Sequence, residues 1–319
     1  MPDPTIEFRI PISPTPGFFA QVRLFDFALR RLGGPYRTAR ILVVVGDGCD
    51  LEDVRRRNPW AEGRPIDWTR VPDTVFERDG YWGTANWRYV PEADADIVVL
   101  SDADTVLLGP VHQALAPLAT TRPALAGHMA HYWPPIVSDI LPPGRSPDFW
   151  PKLFDLCGAP LPARLHPYSC NDDDGGPLAP VYLNLGFVAL NRPALDVFRR
   201  SAFDLHGRLK TLLKSDMWCQ IAVPVLASRH LMHATLLPAE YNAANDDIHI
   251  ARHGIEPSSL RVLHYLREAE FVRSEFLLPG RIDDFLARRL DNPLNRLLQS
   301  VVRDFRRNLA PTEYGPCPD

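Results

Sequence analysis

Lysine is almost missing from this chain: Lys152, Lys210 and Lys214 are the three lysines among 35 basic residues. The remainder are arginines, whose planar guanidinium favours bidentate contacts wherever an anion has to be held. Cysteine is scarce and odd in number. Cys49, Cys157, Cys170, Cys219 and Cys317 include no pair at metal or redox spacing, which argues against a cysteine metal site and a disulfide framework. No apolar run is long enough to cross a bilayer, and Met1 leads into the strand-like Ile6-Glu7-Phe8-Arg9-Ile10 without a leader-type core. A reducing, cytoplasmic setting is therefore the expectation. Charge of one sign is also lacking: a net −4 with a pI near 6.2 gives no general pull toward nucleic acid. Proline, by contrast, is abundant, 33 in 319 residues and dispersed, which reads as long ordered loops.

The patterned stretches alternate. Residues 7–12 read as a strand, and 18–32 as a helix stopped by Gly33-Gly34. Residues 40–45 form a second strand and 50–57 a short charged helix. A third strand over 66–71, a helix over 73–89 and a strand from Asp96 follow. This order predicts an α/β fold, with a mostly parallel sheet covered by helices on both faces. Ligands of such sheets bind at the carboxyl ends of the strands.

The most informative stretch lies at such an end. Ile97-Val98-Val99-Leu100-Ser101 runs into Asp102-Ala103-Asp104, and a second apolar run stops at Gly109-Pro110. Along an extended chain Asp102 and Asp104 point the same way, and two aligned carboxylates repel unless a cation lies between them. Hard oxygen donors suit Mg²⁺ or Mn²⁺, which add phosphate oxygens to their shell. Asp-x-Asp also occurs without a site, because acidic residues commonly open loops. Asp94-Ala95-Asp96 reads as a solvated turn, and Asp172-Asp173-Asp174 as a loop among Pro and Gly.

Further along, residues 111–118 predict a short helix, 124–130 a strand and 146–156 a helix. His128 and His131 stand beside Tyr132-Trp133 in a proline-rich stretch and read as hydrogen-bonded surface groups, with metal ligation as the alternative. The aromatic pair suits sugar stacking. Residues 181–191 read as a strand interrupted by Asn184 and Gly186; a glycine there marks a bulge or the close approach of a ligand or backbone. An amphipathic helix over 193–214 starts at Pro193, and Ser215 fits the N-cap of another over 216–228. Residues 236–242 read as extended. His249 and His253 have helical metal spacing without a glutamate to complete a protease motif, and read as structural. His264, in a strand over 261–266, reads as a core histidine. From Arg281 onward a helical pair with a basic face is predicted, which defines a domain over 1–278 and an appendage over 279–319. The pair packs on the domain with that face in solvent, or contacts an anionic membrane surface.

Several of these features, in this order, resemble the GT-A glycosyltransferases, and among them the retaining family 8 and glycogenin-like enzymes. Val98 to Asp104 is similar to their metal motif, and Tyr182-Leu183-Asn184-Leu185-Gly186-Phe187 to their asparagine-then-glycine strand. Leu237-Pro238 with Tyr241-Asn242 resembles their Leu-Pro…Tyr-Asn stretch. The resemblance covers residues 5 to 270 and implies a metal-dependent transfer of a sugar from a nucleotide-sugar, a UDP-sugar first, to a hydroxyl or glycan acceptor, with retention. It implies Asp102, Asp104 and His264 as ligands of Mn²⁺ or Mg²⁺. Arg88, Ser101, Ala103, Gly186, Asn242 and the Ser13–Thr15 loop would serve the donor, while Asn184 and Asp216 would line its sugar. Departures exist. Met217 replaces the glutamine that follows the family's aspartate, leaving Gln220 one turn on to reach the same face. The Gly and Lys-Pro-Trp after the histidine are absent, with Arg267 or Arg273 as the basic substitute. A nucleotidyltransferase is the enzymatic alternative, although Ser13-Pro14-Thr15-Pro16-Gly17-Phe18 lacks its basic loop. A non-catalytic sugar-nucleotide or glycan-binding protein is the other.

Overall fold

The computed structural model describes residues 4–170 and 176–309; the acidic run Asp172–Asp174 and Cys317 lie outside them. The chain begins with β1 (Ile6–Ile12), α1 (Pro16–Arg31), β2 (Arg40–Val45), α2 (Leu51–Arg57), β3 (Ile66–Arg70), α3 (Asp73–Asp79), α4 (Tyr81–Trp87) and β4 (Ile97–Ser101). The single helix expected over 73–89 is two, because Gly80 takes φ +57° between α3 and α4. Next come β5 (Thr105–Leu107), α5 (His112–Leu115), β6 (Ala124–Met129), α6 (Phe149–Cys157), β7 (His166–Pro167), β8 (Leu178–Ala179) and β9 (Leu183–Asn191). The last part holds α7 (Arg192–Leu212), α8 (Trp218–Arg229), β10 (His233–Leu236), β11 (Ala243–Ala244), α9 (Asp247–His253), β12 (Val262–His264), α10 (Ile282–Ala287) and α11 (Pro293–Asn308).

Seven strands form the main sheet in the order β10-β6-β9-β4-β1-β2-β3. All neighbours pair in parallel except β9, which is antiparallel to both β4 and β6. β1 and β4 are both buried along their whole length; β4 carries the uninterrupted apolar run expected of a strand covered on both faces, whereas Glu7 and Arg9 interrupt that of β1. A second sheet, β11-β12-β5, lies beyond the carboxyl end of β4. Two boundaries differ from the sequence pattern. Residues 236–242 are not one extended segment: β10 ends at Leu236, and Ala239–Tyr241 make a 3-10 turn. Ser215 does not cap a helix from 216, since α8 starts at Trp218; its hydroxyl accepts from the Met217 amide (3.0 Å) and donates to the Pro135 carbonyl (2.7 Å).

A charged pair lies inside β1. Arg9 and Glu7 are fully buried, with Arg9 Nε 2.6 Å from Glu7 Oε1. Arg9 also donates to the carbonyls of Arg88 (2.7 Å) and Glu92 (3.1 Å), so it braces the turn that follows α4.

The expected helical pair at the C-terminal side forms as α10 and α11. Asn292 accepts from the Leu294 and Asn295 amides as N-cap, and Pro293 opens the helix. Leu294, Leu298, Val302 and Phe305 are buried in an apolar cluster shared with Leu24 of α1, Val106 of β5 and Leu263 of β12. The face that an interfacial helix would sink into lipid is thus covered by protein. Basic groups on or beside it pair within the chain, Arg31 with Asp304 (3.0 Å) and Arg306 with Asp283 (3.4 Å). Among the described residues no helix is long and apolar enough to cross a membrane. Leu298→Ala is expected to lower the unfolding free energy by about 2–3 kcal/mol in a denaturant titration, through the cavity it leaves.

Candidate active site

Three segments converge where β4 ends. Asp102 and Asp104 occupy the turn between β4 and β5, so their common direction comes from the turn and not from strand alternation. β12 pairs antiparallel with β5, placing His264 opposite Thr105, and the Tyr265 amide donates to the Asp104 carbonyl (3.0 Å). β9 closes the other side: Phe187 pairs with Ser101, and the Asp102 amide meets the Gly186 carbonyl (3.4 Å). His264 Nε2 thereby stands 3.3 Å from Asp104 Oδ1 and 3.9 Å from Asp102 Oδ2. One ligand atom from each of the three residues lies within 4.8 Å of the others.

Gly186 has a packing reason. A Cβ built there would lie 2.2 Å from His264 Nδ1 and 2.5 Å from Cε1. The close approach anticipated from the sequence is that of the imidazole. Asn184 shapes the same bend by accepting from the Gly186 amide (2.9 Å) and from Asn242 Nδ2 (3.1 Å).

The two carboxylates, the imidazole and the neighbouring guanidiniums shift one another's titration. Burial pushes the Asp102 carboxyl above its usual value; Arg88 opposes this, and Asp104 adds to it. Burial would also raise Asp104, but His264 and Arg273 outweigh it and hold this carboxyl at about 2. Arg273 Nη1 is hydrogen-bonded to Asp104 Oδ2. His264 is raised: burial lowers it, and Asp104 with Asp102 more than offsets that. Two carboxylates and an imidazole are a donor set that Mn²⁺ or Mg²⁺ can use. A metal needs neutral His264, so binding must release the proton that these carboxylates stabilise. Mn²⁺ affinity, read by calorimetry in buffers of different ionisation enthalpy, is expected to rise about tenfold per pH unit and level off above the raised His264 pKa. Proton release should fade over the same interval.

Beside the carboxylates lies a cavity of about 560 Å³. Asp102, Ala103, Asp104, Arg88, Asp216, Met217 and Gln220 line it, together with Arg273. Ser13, Thr15, Ser101, Asn184, Gly186, Asn242 and Arg267 are not among its lining residues. Thr15 instead caps α1, its side chain accepting from the Phe18 amide (3.4 Å). Ser101 is buried, with its hydroxyl 2.8 Å from that of Thr105. Arg267 pairs with Asp246 (2.7 Å), which leaves Arg273, of the two candidates after His264, to line the cavity beside Arg88.

Sequence reasoning overlooked Tyr81, Trp82 and Glu268, which also line the cavity. Tyr81, Ala85 and Arg88 follow helical spacing, so the face of α4 that Arg88 shares was legible. Arg88 is buried, its Nη1 3.5 Å from Asp102 Oδ1 and 3.4 Å from the Ser101 carbonyl. Glu268 accepts from the Arg273 amide (2.7 Å) in a loop without periodic signal.

His128 and His131 are not surface groups; both are buried. Burial pushes His128 down to about 4 and His249 to about 3, so both are neutral at pH 7.

The sheet order and the placement of the carboxylates define a GT-A glycosyltransferase fold. The chain is similar to the bifunctional glycosyltransferase WbbM in its apo form, at 16% identity over 94% of this chain and 52% of WbbM, with a TM-score of 0.54. It thus spans about half the length of WbbM. It is also similar to the galactosyltransferase LgtC solved with donor and acceptor sugar analogues, at 13% identity, 97% and 98% coverage and a TM-score of 0.54. An active-site mutant of LgtC gives 13% identity, 93% and 95% coverage and a TM-score of 0.53. At these identities the likeness is one of fold. No protein-family model and no curated protein matches the sequence.

Proposed function

We propose that the chain is a metal-dependent glycosyltransferase that moves a sugar from a nucleotide-sugar, a UDP-sugar first, to a hydroxyl acceptor. The observation that carries this reading is the convergence of Asp102, Asp104 and His264, with the two carboxylates lining the cavity. These residues would hold Mn²⁺ or Mg²⁺, which when bound offsets charge on the leaving diphosphate. Arg88 fixes the orientation of Asp102 from beneath, and Arg273 adds positive charge beside Asp104. Asp216 and Gln220 lie on the α8 side of the same cavity, where a donor sugar would sit, and the apolar surfaces of Tyr81 and Trp82 help exclude water. Retention is carried over from the resemblance to the family 8 enzymes; Asp216 and Glu268 are the two further carboxylates that line the cavity.

Met217 lines the cavity between Asp216 and Gln220 and supports the non-catalytic binding reading as the alternative. A panel of nucleotide-sugars, each with and without Mn²⁺, separates the two. A ligand at about 100 times its Kd adds roughly 2.7 kcal/mol, which raises Tm by a few degrees. A Mn²⁺-dependent shift with one donor, accompanied by nucleotide release, supports the transferase. A shift without release under any acceptor supports the binding protein, and no shift with any donor overturns both.

A further inference from the structure

A second set of imidazoles lies outside the cavity. His128 stands near the end of β6, and α9 carries His249 and His253 four residues apart, on one face of the helix. One ring nitrogen from each of these three residues lies within 4.8 Å of the others. Their ring centroids are 5.4 Å (His128–His249), 5.5 Å (His128–His253) and 4.7 Å (His249–His253) apart. A fourth imidazole, His131, is 4.7 Å from His249.

The hydrogen bonds select the nitrogens. His128 Nδ1 is 3.0 Å from the Leu237 carbonyl, and His253 Nε2 is 2.8 Å from the Ser169 carbonyl. A carbonyl only accepts, so these nitrogens carry the protons and leave lone pairs on His128 Nε2 and His253 Nδ1. Backbone carbonyls that fix the tautomer in this way are the usual outer partners of metal-bound histidines. His128 Nε2 is buried without a protein partner, and so are both ring nitrogens of His249, a residue with no exposed surface. A buried polar atom in that condition needs a water or an ion. Three imidazole nitrogens do not suit Mg²⁺ or Ca²⁺, which prefer oxygen; imidazole suits zinc, nickel and copper.

We propose that His128, His249 and His253 form a transition-metal site of the zinc class, with His131 as a fourth imidazole in reach, separate from the Asp102–Asp104–His264 centre. Its role is structural. The bound ion ties α9 to the main sheet through β6. α9 follows β11, which pairs with β12, the strand that carries His264. Occupancy therefore braces the small sheet on which the first centre is built.

The test uses the full chain carrying Asp104→Ala, which disables the first centre, stripped with chelator and titrated with Zn²⁺ alone against a competing chromophore. The expected result is one tightly bound equivalent and a Tm raised by several degrees. His253 is exposed, so adding His253→Ala should leave the fold intact by circular dichroism and weaken Zn²⁺ binding at least about 100-fold. His249→Ala should do the same. Absence of a tight equivalent, as when water satisfies the cluster, overturns the proposal. Tight binding that survives His253→Ala and His249→Ala overturns it as well.

Discussion

Asp104→Ala is expected to abolish Mn²⁺-dependent stabilisation by the nucleotide-sugar and to lower sugar transfer by at least about 10³-fold, roughly 4 kcal/mol of transition-state stabilisation. The side chain is the better-buried carboxylate of the pair and the one His264 Nε2 approaches most closely. Its loss would remove one of the proposed ligands and half of the carboxylate charge a divalent ion would neutralise. The fold should survive. Arg273 is partly exposed and regains water when its partner is removed, while His264 keeps Asp102 as a neighbour. The measurements are nucleotide release with saturating donor and Tm with and without Mn²⁺. Wild-type turnover in the variant would remove Asp104 from the centre, and Asp104→Asn separates the loss of charge from the loss of volume.

Gly186→Ala should be nearly as damaging to the centre although it changes no ligand. The added Cβ would sit 2.2 Å from His264 Nδ1, inside any tolerable contact, and His264 and Asn184 are held by their own strands. The ring must move or the two strands must part. Overpacking of this kind costs about 1–3 kcal/mol of stability. If the ring moves, the third ligand is displaced, and Mn²⁺ affinity should fall about 100-fold, as it should for His264→Ala. Calorimetric titration of Mn²⁺ into both variants checks this. An unchanged affinity in Gly186→Ala would show that the imbalance is absorbed by the backbone and that His264 is not fixed by this contact.

These two residues also mark the limits of what a linear reading could find. Asp102 and Asp104 were legible because they interrupt an apolar strand pattern at the end where ligands of parallel sheets bind. Strand alternation predicts their shared direction, yet a turn produces it. Gly186 was legible as an anomaly, while its partner was not. His264 looked like a core histidine on its strand pattern alone, and only the family resemblance singled it out as a ligand.

The sequence by itself determined the alternation of strands and helices, the buried parallel core, the acidic end of β4 and the amphipathic C-terminal helix. Each is written in local periodicity: runs of β-branched residues, helical spacing, and stop signals from glycine and proline. Tertiary structure decided what those elements bring together. The antiparallel register of β12 on β5 carries His264 to the carboxylates, and a loop with no periodic pattern delivers Arg273 to Asp104. The fold also buries Arg9 against Glu7 inside a strand, and it brings His128 to the His249–His253 pair, which nothing along the chain connects to it. The physical reason is the same throughout. Side-chain periodicity reports which face of an element is buried, whereas strand register and helix packing between distant segments fix which residues meet.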